Sequence, residues 1–298
     1  MVLSGFLFTF GAAESRVNYF GFIWNRVLRI YPLFLLMIVI GAALYPSRLN
    51  LLGFLETVFF MANLPDALAL GPVTALFWSI SVEFQFYLIF PFLLFLLRRY
   101  GVLSLVLIMA AALFLRAAAV YAGYNVLDIA YLSMLARIDQ FLLGMIAAKI
   151  FSVADRSILS RFFFPSIAGV LSISLLFNRL GGWFELASWR VVWPLVEGAA
   201  WSVFLLSYTA HVRNNTNIIG RALSRIGEIS YSVYLMHFSV WWYFCVANKW
   251  FLDLGAGPLI NALANSFLII LPVTVVLSTA AYMLVEKPFL SLRIRYLR

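Results

Sequence analysis

Apolar runs of helical length recur along the whole chain, near residues 30–46, 76–97, 102–121, 138–152, 162–178, 191–209, 231–247 and 259–285. About 20 such residues in a helix cross a hydrocarbon core of about 30 Å. None of the runs shows the strict alternation of a lipid-facing barrel strand. With 64% apolar and only 11% charged residues, the chain also lies far outside the range of soluble domains. The fold class is therefore all-α, a polytopic membrane helix bundle of about eight full spans. One membrane domain accounts for residues 1–298, since no repeat, low-complexity tract or soluble appendage interrupts it. The opening MVLSGFLFTFGAA is apolar but too short to cross, and it lacks the basic flank of a signal peptide. It reads as the second half of a span, so the chain is expected to be truncated at its N-terminus.

Basic residues sort the loops. Fifteen of the 21 Lys and Arg residues fall in one alternating set, from Arg16, Arg26 and Arg29 through Arg98, Arg99, Lys149, Arg156, Arg161, Arg213, Arg221 and Arg225 to the C-terminal tail with Arg298. The other six are Arg48, Arg116, Arg137, Arg179, Arg190 and Lys249. Since positive charge near span ends stays in the cytoplasm, the C-terminus is expected there. The net charge of +9 then serves anionic membrane lipids and calls for no nucleic acid. The lone Cys245 excludes an internal disulfide and a cysteine-based metal site, and neither a metal cluster nor a glycine-rich nucleotide loop is visible.

Against this background each ionic group inside a span needs a reason, because a charge at mid-bilayer costs roughly 2.5 to 3.5 kcal/mol on insertion scales. Glu83 lies in FWSISVEFQFYLIFPFLLFLL, with Ser79 one turn before it and Tyr87 one turn after, on one helix face; Ser81 and Gln85 take the opposite face. Such a helix has no clean lipid side and belongs in the interior. Arg26 and Arg29, three apart in NRVLRIYP, share a face and suit phosphate, although headgroup anchoring would ask for the same residues. Arg137 and Asp139 stand at a span edge in LARIDQFLLGM, and His237 lies within ISYSVYLMHFSVWW. A lone intramembrane histidine packs and hydrogen-bonds more often than it catalyses.

Six stretches together resemble the acyltransferase 3 family of membrane O-acyltransferases, which modify sugars of bacterial surface polysaccharides. They are VLSGFL (2–7), RVLRIYP (26–32), FWSISVEFQFYLIFP (77–91), ARIDQFLLGM (136–145), ISYSVYLMHFSV (229–240) and VEKPFLSL (285–292), in the family's order. The resemblance implies a multi-pass protein of the bacterial inner membrane with no permanently bound cofactor. An acyl-CoA, most simply acetyl-CoA, is the implied donor, and a glycan or lipid-linked saccharide the acceptor. It assigns Arg26 and Arg29 to the donor and matches the family's Glu-x-x-x-Tyr pattern to Glu83 and Tyr87. Phe84 stands where a second acidic residue or Trp is common. The family's first helix, with a basic residue and then the His thought to be the catalytic base, has no counterpart; His237 matches a later signature and His211 reads as solvated.

The expected reaction moves an acyl group from a cytoplasmic thioester to a hydroxyl. Arg26 and Arg29 hold the donor, Glu83 and Tyr87 position the acceptor or orient a base, and His237 lends polar support. Glu83, Arg137, Asp139 and Glu197 are expected to share a polar cluster in which Arg137 neutralises at least one carboxylate. Two alternatives stand beside this: a non-catalytic relative or partner subunit, and a transporter or flippase for a lipid-linked saccharide. VEKP reads as the point where Pro288 ends the last span.

Overall fold

The computed structural model describes residues 1–13, 15–64, 66–184, 187–212 and 218–297; Arg213 and Arg298 lie outside them. It is 81% helical, and among the described residues no strand forms. Helix is the outcome expected where lipid offers backbone amides no partner. In chain order the helices are α1 (Val2–Gly11), α2 (Tyr19–Leu44), α3 (Leu51–Val58), α4 (Phe77–Tyr100), α5 (Val102–Tyr121), α6 (Met134–Val153) and α7 (Arg156–Arg161). They continue with α8 (Phe163–Arg179), α9 (Trp193–His211), α10 (Ile218–Glu228), α11 (Ser230–Trp241), α12 (Pro258–Asn265), α13 (Leu271–Ala281) and α14 (Lys287–Leu290).

Among the described residues, six helical stretches are long and apolar enough to cross a membrane: Tyr19–Leu44, Gly71–Tyr100, Val102–Tyr121, Asp128–Val153, Ser188–His211 and Pro258–Leu290. The runs near 162–178 and 231–247 are also helical but fall short of that measure. Helix α8 has 17 residues, and α11 runs for 12 before a π-helical turn takes over at Trp242. The chain is an integral membrane protein, with burial grading its spans. Over half of the apolar window is buried in Gly71–Tyr100 and Asp128–Val153, against 11% in Pro258–Leu290, so the last stretch is the one most open to lipid and the first two are the most enclosed.

That last stretch corrects one expectation. Pro288 does not end it: the helix runs on to Leu290. Two π-helical turns, Ser266–Ile270 and Tyr282–Glu286, each precede a proline by two residues, at Pro272 and Pro288. A proline has no N–H for the carbonyl four residues back and its ring crowds that carbonyl; widening the preceding turn relieves both problems.

The chain forms two compact units. The first comprises Met1–Tyr19, Val82–Asn214 and Tyr296–Arg298; the second comprises Phe20–Ser81 and Asn215–Arg295. In the first, α1 packs along α6, and α6 along α5 and α9. Glycines permit the α1–α6 approach: a Cβ on Gly5 would lie 2.1 Å from the Phe141 carbonyl oxygen, and one on Gly144 would lie 2.1 Å from that of Val2. Between lipid-soluble helices such close backbone packing supplies much of the association. In the second unit α11 packs on α13. There Asn25 of α2 donates to the Ile294 carbonyl at 2.7 Å and accepts from the Ile294 amide at 3.0 Å, pinning the C-terminal tail.

Candidate active site

Helix α4 carries Glu83 in its buried half. From Phe77 to Tyr87 no residue is exposed, whereas Leu88, Ile89, Phe92 and Phe95 further along face outward. In the first unit the Ser4 hydroxyl of α1 donates to Glu83 Oε1 at 2.5 Å, and the Tyr87 ring meets Phe8 edge-on, 5.3 Å between centroids. Phe86, on another face, stacks on Phe141 at 4.0 Å. The two glycine contacts that bring α1 against α6 therefore also set where Ser4 stands. In the second unit Ser79 meets the Tyr234 hydroxyl at 2.5 Å, and the Ala62 amide donates to Ser81 at 3.0 Å.

Arg137 lies near Glu197. Its Nη1 donates to Glu197 Oε2 at 3.2 Å, its Nε to the Tyr131 carbonyl at 2.9 Å, and Gln140 adds a bond to the same carboxylate oxygen at 2.9 Å. The guanidinium also sits over the Tyr131 ring at 4.4 Å. A cavity of about 370 Å³ opens beside this group, lined by Gln140 and Glu197 together with Met1, Val2, Trp201 and Phe204 among others. Asp139 takes a different partner. It forms a fully buried ion pair with Arg116 of α5, whose Nη1 also donates to the Ala136 carbonyl at 2.9 Å. Residues two apart on a helix project to different sides, so Arg137 and Asp139 diverge. Of the four residues expected to cluster, Asp139 pairs instead with Arg116, while Arg137 pairs with Glu197 and Glu83 accepts from Ser4.

In the second unit Arg29 is held on three sides. Its Nη1 pairs with Glu286 at 3.1 Å, its Nη2 donates to the Glu228 carbonyl at 3.0 Å, and the guanidinium lies 5.9 Å from the Tyr231 ring centre. The Glu286 side chain is wholly buried and also accepts a hydrogen bond from Ser232, while Tyr231 donates to the Ile30 carbonyl at 2.9 Å. RVLRIYP, ISYSVYLMHFSV and VEKP thereby meet at one point. Arg26, partly buried, lies over Phe22 at 5.3 Å. His237 is exposed and donates from Nδ1 to the Tyr234 carbonyl at 2.7 Å, which leaves Nε2 as the acceptor of the neutral ring. His211 is exposed and stacks on Phe163 at 4.5 Å.

Three partners went unread in the sequence: Ser4, Arg116 and Glu286. The signal for the last two was the same as for Glu83, an ionic residue within or closing an apolar run. Ser4 had no such signal, since one hydroxyl in a short apolar helix is unremarkable. Chemically, the first unit presents half-buried carboxylates able to accept from a hydroxyl, and the second a guanidinium fork oriented by a buried acid. Among the described residues no three His, Cys, Asp or Glu side chains are placed to hold a metal ion.

A family model described as an acyltransferase domain matches residues 1–283. The chain is similar to the exopolysaccharide production protein ExoZ of Rhizobium meliloti (strain 1021), with 31% identity over 306 residues that cover 97% of this chain and 87% of that protein. No solved structure matches.

Proposed function

This chain belongs to the acyltransferase 3 family and is a membrane acyltransferase, and we propose that it moves an acetyl group from cytoplasmic acetyl-CoA to a hydroxyl of an exopolysaccharide or its lipid-linked precursor. The observation that carries the donor half of this reading is the buried Glu286 carboxylate holding the Arg29 fork. A guanidinium has five N–H donors, so this pairing leaves others for a phosphate and spares the side chain some of its rotamer entropy on binding. Arg26 adds a second cation three residues away. Both belong to the set of basic residues that the positive-inside rule assigns to the cytoplasm, the compartment where CoA thioesters are made.

For the acceptor half, Glu83 is oriented by Ser4 and would accept a hydrogen bond from the sugar hydroxyl, with Tyr87 beside it. The hydroxyl oxygen attacks the thioester carbonyl carbon, the C–S bond breaks, and the proton from the hydroxyl ends on the CoA thiol. ExoZ, by its name, works in exopolysaccharide production, which supports a glycan acceptor.

The test is transfer of radiolabelled acetyl from acetyl-CoA to purified exopolysaccharide by the chain in proteoliposomes. Label should reach the glycan, and Arg29→Ala together with Arg26→Ala should raise the KM for acetyl-CoA at least tenfold. Label that never leaves CoA, or a double variant with unchanged KM, overturns the reading.

A further inference from the structure

Within the second unit a cavity of about 390 Å³ is lined by Tyr45, Arg48, Gly71, Pro72, Phe238 and Trp242. It lies just past the C-terminal end of α2, whereas Arg29 lies 16 residues earlier, roughly 24 Å along a helix. The two features are therefore well separated along one span, Arg29 near its middle and the cavity at its C-terminal end. The loop is shaped around the Tyr45 ring: Gly71 has φ +61°, and a Cβ there would come within 2.7 Å of Tyr45 Cζ. Ser239 donates to the Pro72 carbonyl at 3.2 Å, tying the same loop to the helix that presents Phe238 and Trp242.

Arg48 stands over the Tyr45 ring at 5.2 Å, and its Nη1 donates at 3.3 Å to the Ala69 carbonyl. It is exposed, and among the described residues no carboxylate pairs with it. Aromatic side chains beside a guanidinium that, among the described residues, pairs with no carboxylate match one kind of ligand well: a ring with an apolar C–H face, hydroxyls at its rim and a carboxylate on its edge. The walls come from three separate segments, which suits a discrete ring better than the length of a lipid tail.

The geometry points to this cavity as a subsite for an acidic sugar residue of the acceptor glycan, with Phe238 and Trp242 packing on the ring and Arg48, held over Tyr45, pairing with its carboxylate. This rests on the reading of the protein as a glycan acyltransferase, and it makes the enzyme selective for a charged polymer.

Calorimetry on the full chain in phosphatidylcholine nanodiscs, without donor, tests it with a tetrasaccharide containing one glucuronate and with its carboxyl-reduced counterpart. The charged probe should bind more tightly. Arg48→Gln should cost it about tenfold while leaving the neutral probe unchanged, the loss of one charge-assisted contact. Arg48→Lys should retain part of the preference, and Trp242→Ala should weaken both probes, with Trp242→Phe restoring them. Equal affinity for the two probes, or Arg48→Gln without effect, overturns the assignment. Competition by phosphatidylglycerol that abolishes binding also overturns it and gives the cavity to lipid headgroups. Acetyl-CoA turnover measured in parallel separates the two readings: charge-selective binding without turnover sustains the subsite and removes the acyl transfer, whereas turnover with no charge preference does the reverse.

Discussion

Ser4 and Arg116 show how single side chains settle the cost of charge in a bilayer. Ser4 gives the half-buried Glu83 a hydrogen bond to a charged acceptor, an interaction worth about 1.5 to 3 kcal/mol. If Glu83 acts in transfer, Ser4→Ala should lower kcat/KM about tenfold or more, and Ser4→Thr should restore much of it; steady-state kinetics on the two variants check this. Arg116 and Asp139 are both fully buried, so removing one partner strands the other. Arg116→Met alone should destabilise by about 3 to 5 kcal/mol, and Arg116→Met combined with Asp139→Leu by much less, as read from thermal unfolding in detergent. The sequence exposed Arg116 as an ionic residue in an apolar run, but not its partner. Arg137 lay nearer to Asp139 along the chain, and only the packing of α5 on α6 decided between them.

Among the elements, α1 depends on its glycines. Gly144→Val should force α1 off α6, because the nearest obstacle is the Val2 backbone and a backbone yields little. A loss of about 1 to 3 kcal/mol or more is expected, with lower thermal stability and diminished activity together. The turn before α12 makes a different prediction. The Gly255 amide and, next, the Asn261 side chain donate to the exposed Asp253 carboxylate and hold its pKa below the usual carboxylate value. A lowered folded pKa means the turn is stabilised above the unfolded value, about 3.9, and loses that contribution as pH falls through the folded one. Protection of the Gly255 amide, its exchange rate relative to the intrinsic rate at each pH, should therefore fall on acidification in the wild type, and Asp253→Asn should flatten that dependence. The helices themselves were legible from apolar length. Their continuation through Pro288 was not, since a proline stops a helix unless the turn before it widens.

For the whole molecule, charge predicts sidedness. Reporter fusions after Gly101, beside Arg98 and Arg99, and at the C-terminus should register cytoplasmic, and one at Gly255 should register on the opposite side; a reversed pattern would place the donor and the aromatic cavity the wrong way round. Composition and apolar length were enough to establish a helical membrane protein, because the bilayer admits so few ways of satisfying a backbone. Six ordered stretches were enough to point to its family. Which acid answers which base was decided only in three dimensions: Glu286 reaches Arg29 across 257 positions of sequence, and Asp139 passes over its neighbour Arg137 for a residue on another helix. Hydropathy is a property each residue brings with it, whereas an ion pair in lipid depends on which helix faces press together, and that is set by the small residues and prolines that govern how closely and at what angle the helices meet.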